Sequence, residues 1–98
     1  MALIATLDLT FKPESLADAR ALLRTVLAET RAFEGCLGVD VWVDEENEAH
    51  VVAYETWESA EADAKYREFR AGPGQITELP PMLAAAPTLT KFTVDSSI

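Results

Sequence analysis

An acidic pentad, Asp44-Glu45-Glu46-Asn47-Glu48, stands between two runs of alternating side chains, and the arrangement reads as a β-hairpin. On the incoming run, residues 36–43, Leu37, Val39, Val41 and Val43 share one face and Cys36, Gly38, Asp40 and Trp42 the other. On the returning run, residues 49–57, Ala49, Val51, Ala53, Glu55 and Trp57 share a face opposite His50, Val52, Tyr54 and Thr56. The charges of the pentad repel one another and stay solvated, and Asn47 accepts a left-handed turn conformation.

The flanks of this hairpin mirror each other. Residues 2–10 alternate, with Leu3, Ala5, Leu7 and Leu9 on one side and Ile4, Thr6, Asp8 and Thr10 on the other. Pro13 and Glu14 then open a helix, because a first helical turn has no use for the N–H that proline lacks. Leu16, Ala19, Leu23, Val26, Leu27 and Thr30 form its apolar stripe, while Asp18, Arg24 and Glu29 suit its solvated side. Glu34-Gly35 ends it, with Gly35 free to take a positive φ.

Beyond the hairpin, Glu58 or Ser59 caps a second helix over residues 60–71, with Glu61 and Asp63 at its positive end. Its apolar stripe is thin: Ala62, Tyr66 and Phe69. Gly72-Pro73-Gly74 breaks it and can hinge a lid. A helical turn around Ile76–Leu79 precedes Pro80-Pro81, and residues 88–94 form the last strand, with Phe92 and Lys91 on opposite faces. The order β-α-β-β-α-β predicts a ferredoxin-like α+β fold, a four-stranded antiparallel sheet with two helices on one face, as one domain over residues 1–98.

Charge and composition remove several functions. Eight basic residues against seventeen acidic give a net charge of −9, which repels nucleic-acid phosphates. No apolar run is long enough to cross a membrane, and Asp8 interrupts the only N-terminal stretch that resembles a leader. The single cysteine, Cys36, excludes an internal disulfide and a cysteine-cluster metal site, so a reducing, cytoplasmic setting is expected. His50 has no second histidine to share a metal with. Ile4, Trp42, Val52 and Tyr54 make the second sheet face too apolar for water, and a homodimer is the expected cover.

Glu34-Gly35-Cys36-Leu37-Gly38, then Tyr54-Glu55-Thr56-Trp57-Glu58-Ser59, then Tyr66 nine residues beyond Trp57, resemble the antibiotic biosynthesis monooxygenase family of dimeric α+β barrels. The resemblance implies cofactor-independent oxidation of quinols or polyketide-type phenols by O₂, a pocket between sheet and helices, and a dimer formed sheet to sheet. Tyr66 stands where the family commonly has histidine, so the haem ligand of its haem-degrading branch is missing. With Asn47 read in the acidic turn, no expected strand carries a counterpart of the asparagine that positions substrate or O₂ in several catalytic relatives.

The resulting expectation is a pocket lined by Trp57, Tyr66, Phe69, Phe92 and Val51, with Trp57, Tyr66 and Glu55 as catalytic candidates. Trp57 stacks on a planar aromatic ligand, or else is a core residue whose indole N–H finds a partner. Glu55, if buried and unpaired, is a base for a phenolic proton; the alternative is a structural acid held by Arg67, Arg70 or Lys91. Tyr66 donates to a substrate oxygen, or simply packs. No metal or organic cofactor is expected, only O₂. Two rival functions follow from the same residues: a non-catalytic dimer that binds a small ligand, and an isomerase or cyclase acting through Glu55.

Overall fold

Period-two and helical patterning place every element close to where the sequence puts it. A computed structural model describes residues 2–98. It contains β1 (Leu3–Thr10), α1 (Leu16–Ala32), β2 (Cys36–Asp44), β3 (Asn47–Trp57), α2 (Ala60–Ala71) and β4 (Thr88–Thr93). All pairings are antiparallel and the strand order is β2-β3-β1-β4, the ferredoxin-like plan. No helix among the described residues is long and apolar enough to cross a membrane.

Helix α1 begins later than Pro13. Residues Pro13–Ser15 form a tight 3-10 turn, closed by the Ser15 N–H on the Lys12 carbonyl, and feed into α1. After Ala32 the chain straightens at Phe33, and Gly35 takes φ +90°. A side chain there would collide with the Ala62 methyl as well as strain the backbone, so glycine is required twice over.

A β-bulge then corrects the face assignment of β2. Cys36 pairs with Trp57 but Gly38 pairs with Thr56, leaving Leu37 as the extra residue. Cys36 therefore packs on the helix side beside Val39, and Leu37 is 62% exposed. From Gly38 to Val43 the expected alternation holds, and a second irregularity follows between Val43 and Asp44.

Ser59 is the N-cap of α2, its hydroxyl accepting the Ala62 N–H at 3.1 Å. The helical turn expected at Ile76–Leu79 lies instead at Pro80–Met82, where the fixed φ of proline suits its start. The connection from Gly72 to Pro87 runs along the helix-side layer. It is tied near one end by the Gly74 N–H on the Phe69 carbonyl, and near the other by Lys12 to Met82 and Ala84 to Thr10 backbone bonds. No backbone hydrogen bond joins Ile76, Thr77 or Glu78 to the rest of the described chain.

Three buried clusters lie between sheet and helices: Leu3, Ala5, Trp57, Ala62 and Tyr66 under α2; Leu9, Phe11, Ala19 and Val51 at the opposite end; and Val26, Leu27 and Val39 under α1. Among the described residues none covers the other sheet face. Trp42 stacks on Tyr54 at 4.6 Å and stays 52% exposed, and Phe92 is 49% exposed beside Ile4.

Candidate functional site

The helix-side face of β3 brings Glu55 and Trp57 under α2, as alternation dictates. Both are sealed from outside solvent. Glu55 is not the unpaired acid that the base argument needed. Its Oε1 accepts the Trp57 indole N–H at 3.1 Å and an Arg67 guanidinium N–H at 2.5 Å. Arg67 also spans to Asp63 at 3.0 Å, and Lys91 Nζ reaches Asp63 Oδ2 at 2.6 Å. That lysine contact is an ion pair without hydrogen-bond geometry at Oδ2, but it supplies the counter-charge.

Register explains how these groups meet. Val39, Glu55, Ala5 and Lys91 lie in one row across the four strands. Ala5, the smallest member, lies between the acid and the lysine, and α2 crosses nearby with the buried Asp63. Two carboxylates and two cations cancel, which is the condition for leaving charges in a dry layer.

A second network surrounds Tyr66. Thr30 Oγ1 spends its single proton on the Val26 carbonyl at 3.0 Å, so Tyr66 Oη donates to Thr30 at 2.7 Å. Arg70 Nε then donates to Tyr66 Oη at 2.8 Å. The remaining Arg70 protons go to the Gly74 and Val26 carbonyls, Thr30 and Glu29, which uses all five donors. The ring of Tyr66 carries the Arg67 and Arg70 guanidinium groups at 5.0 and 5.2 Å from its centre.

Between these networks, α1 and the Gly72–Pro87 connection lies a cavity of about 370 Å³. Its walls are Leu7, Leu9, Leu23, Val26 and Leu27 on one side and Ile76, Leu79, Leu83 and Pro87 on the other. Glu55, Tyr66, Arg67, Arg70 and Gln75 supply its polar edge. Glu55 Oε2 has no hydrogen-bond partner among the described residues, and it is not among their sealed-in orphan atoms, so it keeps access to this space.

The structure therefore gathers Glu55 and Tyr66 at the cavity, with Trp57 one layer behind them and Phe69 packed on Phe33 and Tyr66. Trp57 is fully buried against Phe33 and Tyr66 and presents no surface to a ligand. Phe92 stands apart, because its pairing with Ile4 turns it to the outer sheet face. Val51 also stands apart, packed with Leu9, Phe11 and Ala19 at the other end of the sheet. Tyr66 has no proton left for a substrate oxygen in this arrangement. Asp63 and the cavity roles of Arg67 and Arg70 escaped the sequence reading. The available signal was the stripe 63, 66, 67, 70, which places three charged residues on the inner side of α2 with Tyr66.

His50 lies on the outer face, as alternation requires, and is half-buried between two acids. Its Nε2 is 2.9 Å from Asp8 and its Nδ1 2.9 Å from Asp44. These hydrogen bonds, that to Asp44 foremost and that to Asp8 next, raise its pKa above the ordinary imidazole value, and the Asp44 carboxyl is lowered chiefly by the same bond. The two acids bind opposite nitrogens of the ring and do not converge on a common point; among the described residues no three His, Cys, Asp or Glu side chains are placed to hold a metal ion. The Cys36 thiol is raised, by burial first.

Comparison with known proteins agrees with this fold. The chain superposes on a crystal structure of an antibiotic biosynthesis monooxygenase with a TM-score of 0.84 at 20% identity, covering 95% of this chain and 98% of that one. It matches Rv0793 from Mycobacterium tuberculosis with a TM-score of 0.84 at 19% identity over the full length of both. A candidate antibiotic biosynthesis monooxygenase from Deinococcus radiodurans gives a TM-score of 0.84 at 23% identity, with 98% and 95% of the two chains covered. These identities establish a shared fold. No curated protein matches the sequence. The sequence model for antibiotic biosynthesis monooxygenases matches residues 2–74, strands β1 to β3 with both helices, and the chain belongs to that family.

Proposed function

We propose that this chain is a monooxygenase-like protein that takes a small planar phenol or quinol into the 370 Å³ cavity, with O₂ as its co-substrate and no metal or organic cofactor. The observation that carries this reading is Glu55: a carboxylate clamped through one oxygen by Arg67 and Trp57, with its other oxygen free at the polar edge of a chamber walled mainly by aliphatic side chains. Such an oxygen accepts the hydroxyl proton of a phenol and fixes the ring against aliphatic walls. Removal of that proton leaves an electron-rich phenolate from which O₂ takes electrons. In an anthrone-type phenol, oxidation of the ring CH₂ of its keto form to C=O then consumes one O₂ and releases one water; in a hydroquinone, loss of two electrons and two protons gives the quinone while O₂ becomes H₂O₂.

Family membership supports the reaction class. The outer sheet face supports a homodimer, since Ile4, Trp42, Tyr54 and Phe92 leave aromatic and aliphatic surface open to water. The expected species sediments at twice the chain mass, and Trp42→Glu, which sets a charge in the aromatic pair on that face, makes it a monomer.

O₂ uptake with a panel of hydroquinones and anthrone-type phenols tests the activity. Turnover with at least one member is expected, and Glu55→Gln should abolish it while the fold survives. No turnover across the panel, or full activity in Glu55→Gln, overturns the reading. A second reading, a non-catalytic ligand-binding dimer, draws support from Tyr66 and Arg70, whose polar atoms are already committed within the protein. Saturable tryptophan quenching without product marks that outcome.

A further inference from the structure

We propose a second binding site, separate from the cavity, in the groove between α1 and β2, for a small free carboxylic acid with an apolar body. The groove holds about 290 Å³, just under the usual range for small-ligand sites. Its floor includes Val41 and Val43, which point to the helix side of the sheet, pairing with Ala53 and Val51, yet remain 40% and 49% exposed because α1 does not reach over them. Its rim carries Arg20, Arg24 and Arg31, all from α1.

The charge distribution is what needs an explanation. The chain has only eight basic residues against seventeen acids, and three of the eight border this one groove. Arg31 is anchored on the Val39 carbonyl through Nε at 3.3 Å and Nη2 at 2.9 Å. Arg20 and Arg24 make no hydrogen bond or ion pair among the described residues. They sit four apart on the helix, a spacing at which like charges repel, on a helix where any polar residue would serve solubility. Unpaired guanidinium forks beside exposed valine surface match an anion of one charge joined to an apolar body. The fork grips a carboxylate through two parallel bonds, and the body covers Val41 and Val43.

The net charge of −9 selects the size of the occupant. A polyanion or an anionic membrane surface would meet the repulsion of the whole molecule, whereas a singly charged small acid answers chiefly to the local arginines.

Methyl NMR of the full chain, titrated with decanoate, tests the site, with decanol and acetate as controls. Decanoate should shift the Val41 and Val43 methyls saturably, and each control should bind at least about tenfold more weakly. The double variant Arg20→Gln/Arg24→Gln should lose about tenfold in decanoate affinity with its spectrum otherwise unchanged. Four results overturn the proposal: no saturation, equal binding of decanol, shifts at Leu7 and Leu83 of the central cavity in place of Val41 and Val43, or movement of the valine methyls on simple dilution, which would make the groove a contact between copies.

Discussion

Two clusters in this molecule each place acids around cations, and they differ in what surrounds them. Under α2, Glu55 and Asp63 are sealed and share Arg67, and Lys91 pairs with Asp63. On the outer face, Asp8 and Asp44 grip His50 where roughly a third or more of each side chain is open to water. In the dry cluster, removing a partner strands a charge that cannot be rehydrated cheaply. In the wet cluster water replaces whatever is removed, and the interaction is worth only what screening leaves. Similar chemistry thus acts as a structural requirement in one place and as a pH-sensitive ornament of the surface in the other.

The difference can be broken experimentally, beginning with the dry side. Arg67→Met should cost about 3–5 kcal/mol in urea denaturation, since Glu55 then keeps only the Trp57 indole N–H and Asp63 only Lys91. A loss below about 1 kcal/mol would mean that water enters the layer and that the two clusters are alike. Tyr66→Phe should cost about 1–1.5 kcal/mol, because Arg70 Nε loses its acceptor while Thr30 keeps Val26.

The smallest effect belongs to His50. Its raised pKa means that its stabilisation is fully present below about pH 6.5 and fades as pH climbs through the raised value. That of Asp44, which is lowered, is present above about pH 3.8 and fades as pH falls through the depressed value. The difference in stability between the wild type and His50→Gln should therefore peak in the mildly acidic range and shrink on both sides. A flat difference across pH 4–9 would remove the imidazole–carboxylate contact from the account.

The fold was legible because its signals are local. Alternation over β1 and β3, the Ser59 cap and the glycine at position 35 each act within a few residues. What stayed hidden depended on register or on distant partners. The bulge at Leu37 moved Cys36 to the other face, which no count of alternating residues reveals. The burial of Asp63 follows from Lys91 arriving two strands away from β3, and the exclusion of Phe92 from the cavity follows from its pairing with Ile4. Of the candidate site, Glu55 and Tyr66 were readable from their faces. The state of their polar atoms was not, because that rests on Arg67 and Thr30.

The way the Gly72–Pro87 connection is fastened has a consequence for traffic. Its two ties hold Gly74 and Met82–Ala84, and the stretch between them contributes Ile76 and Leu79 to the chamber with no backbone hydrogen bond from Ile76 to Glu78 among the described residues. Departure of these few residues admits a visitor without melting a helix or a strand. The width left when these residues move, as well as the volume behind them, then sets what can enter.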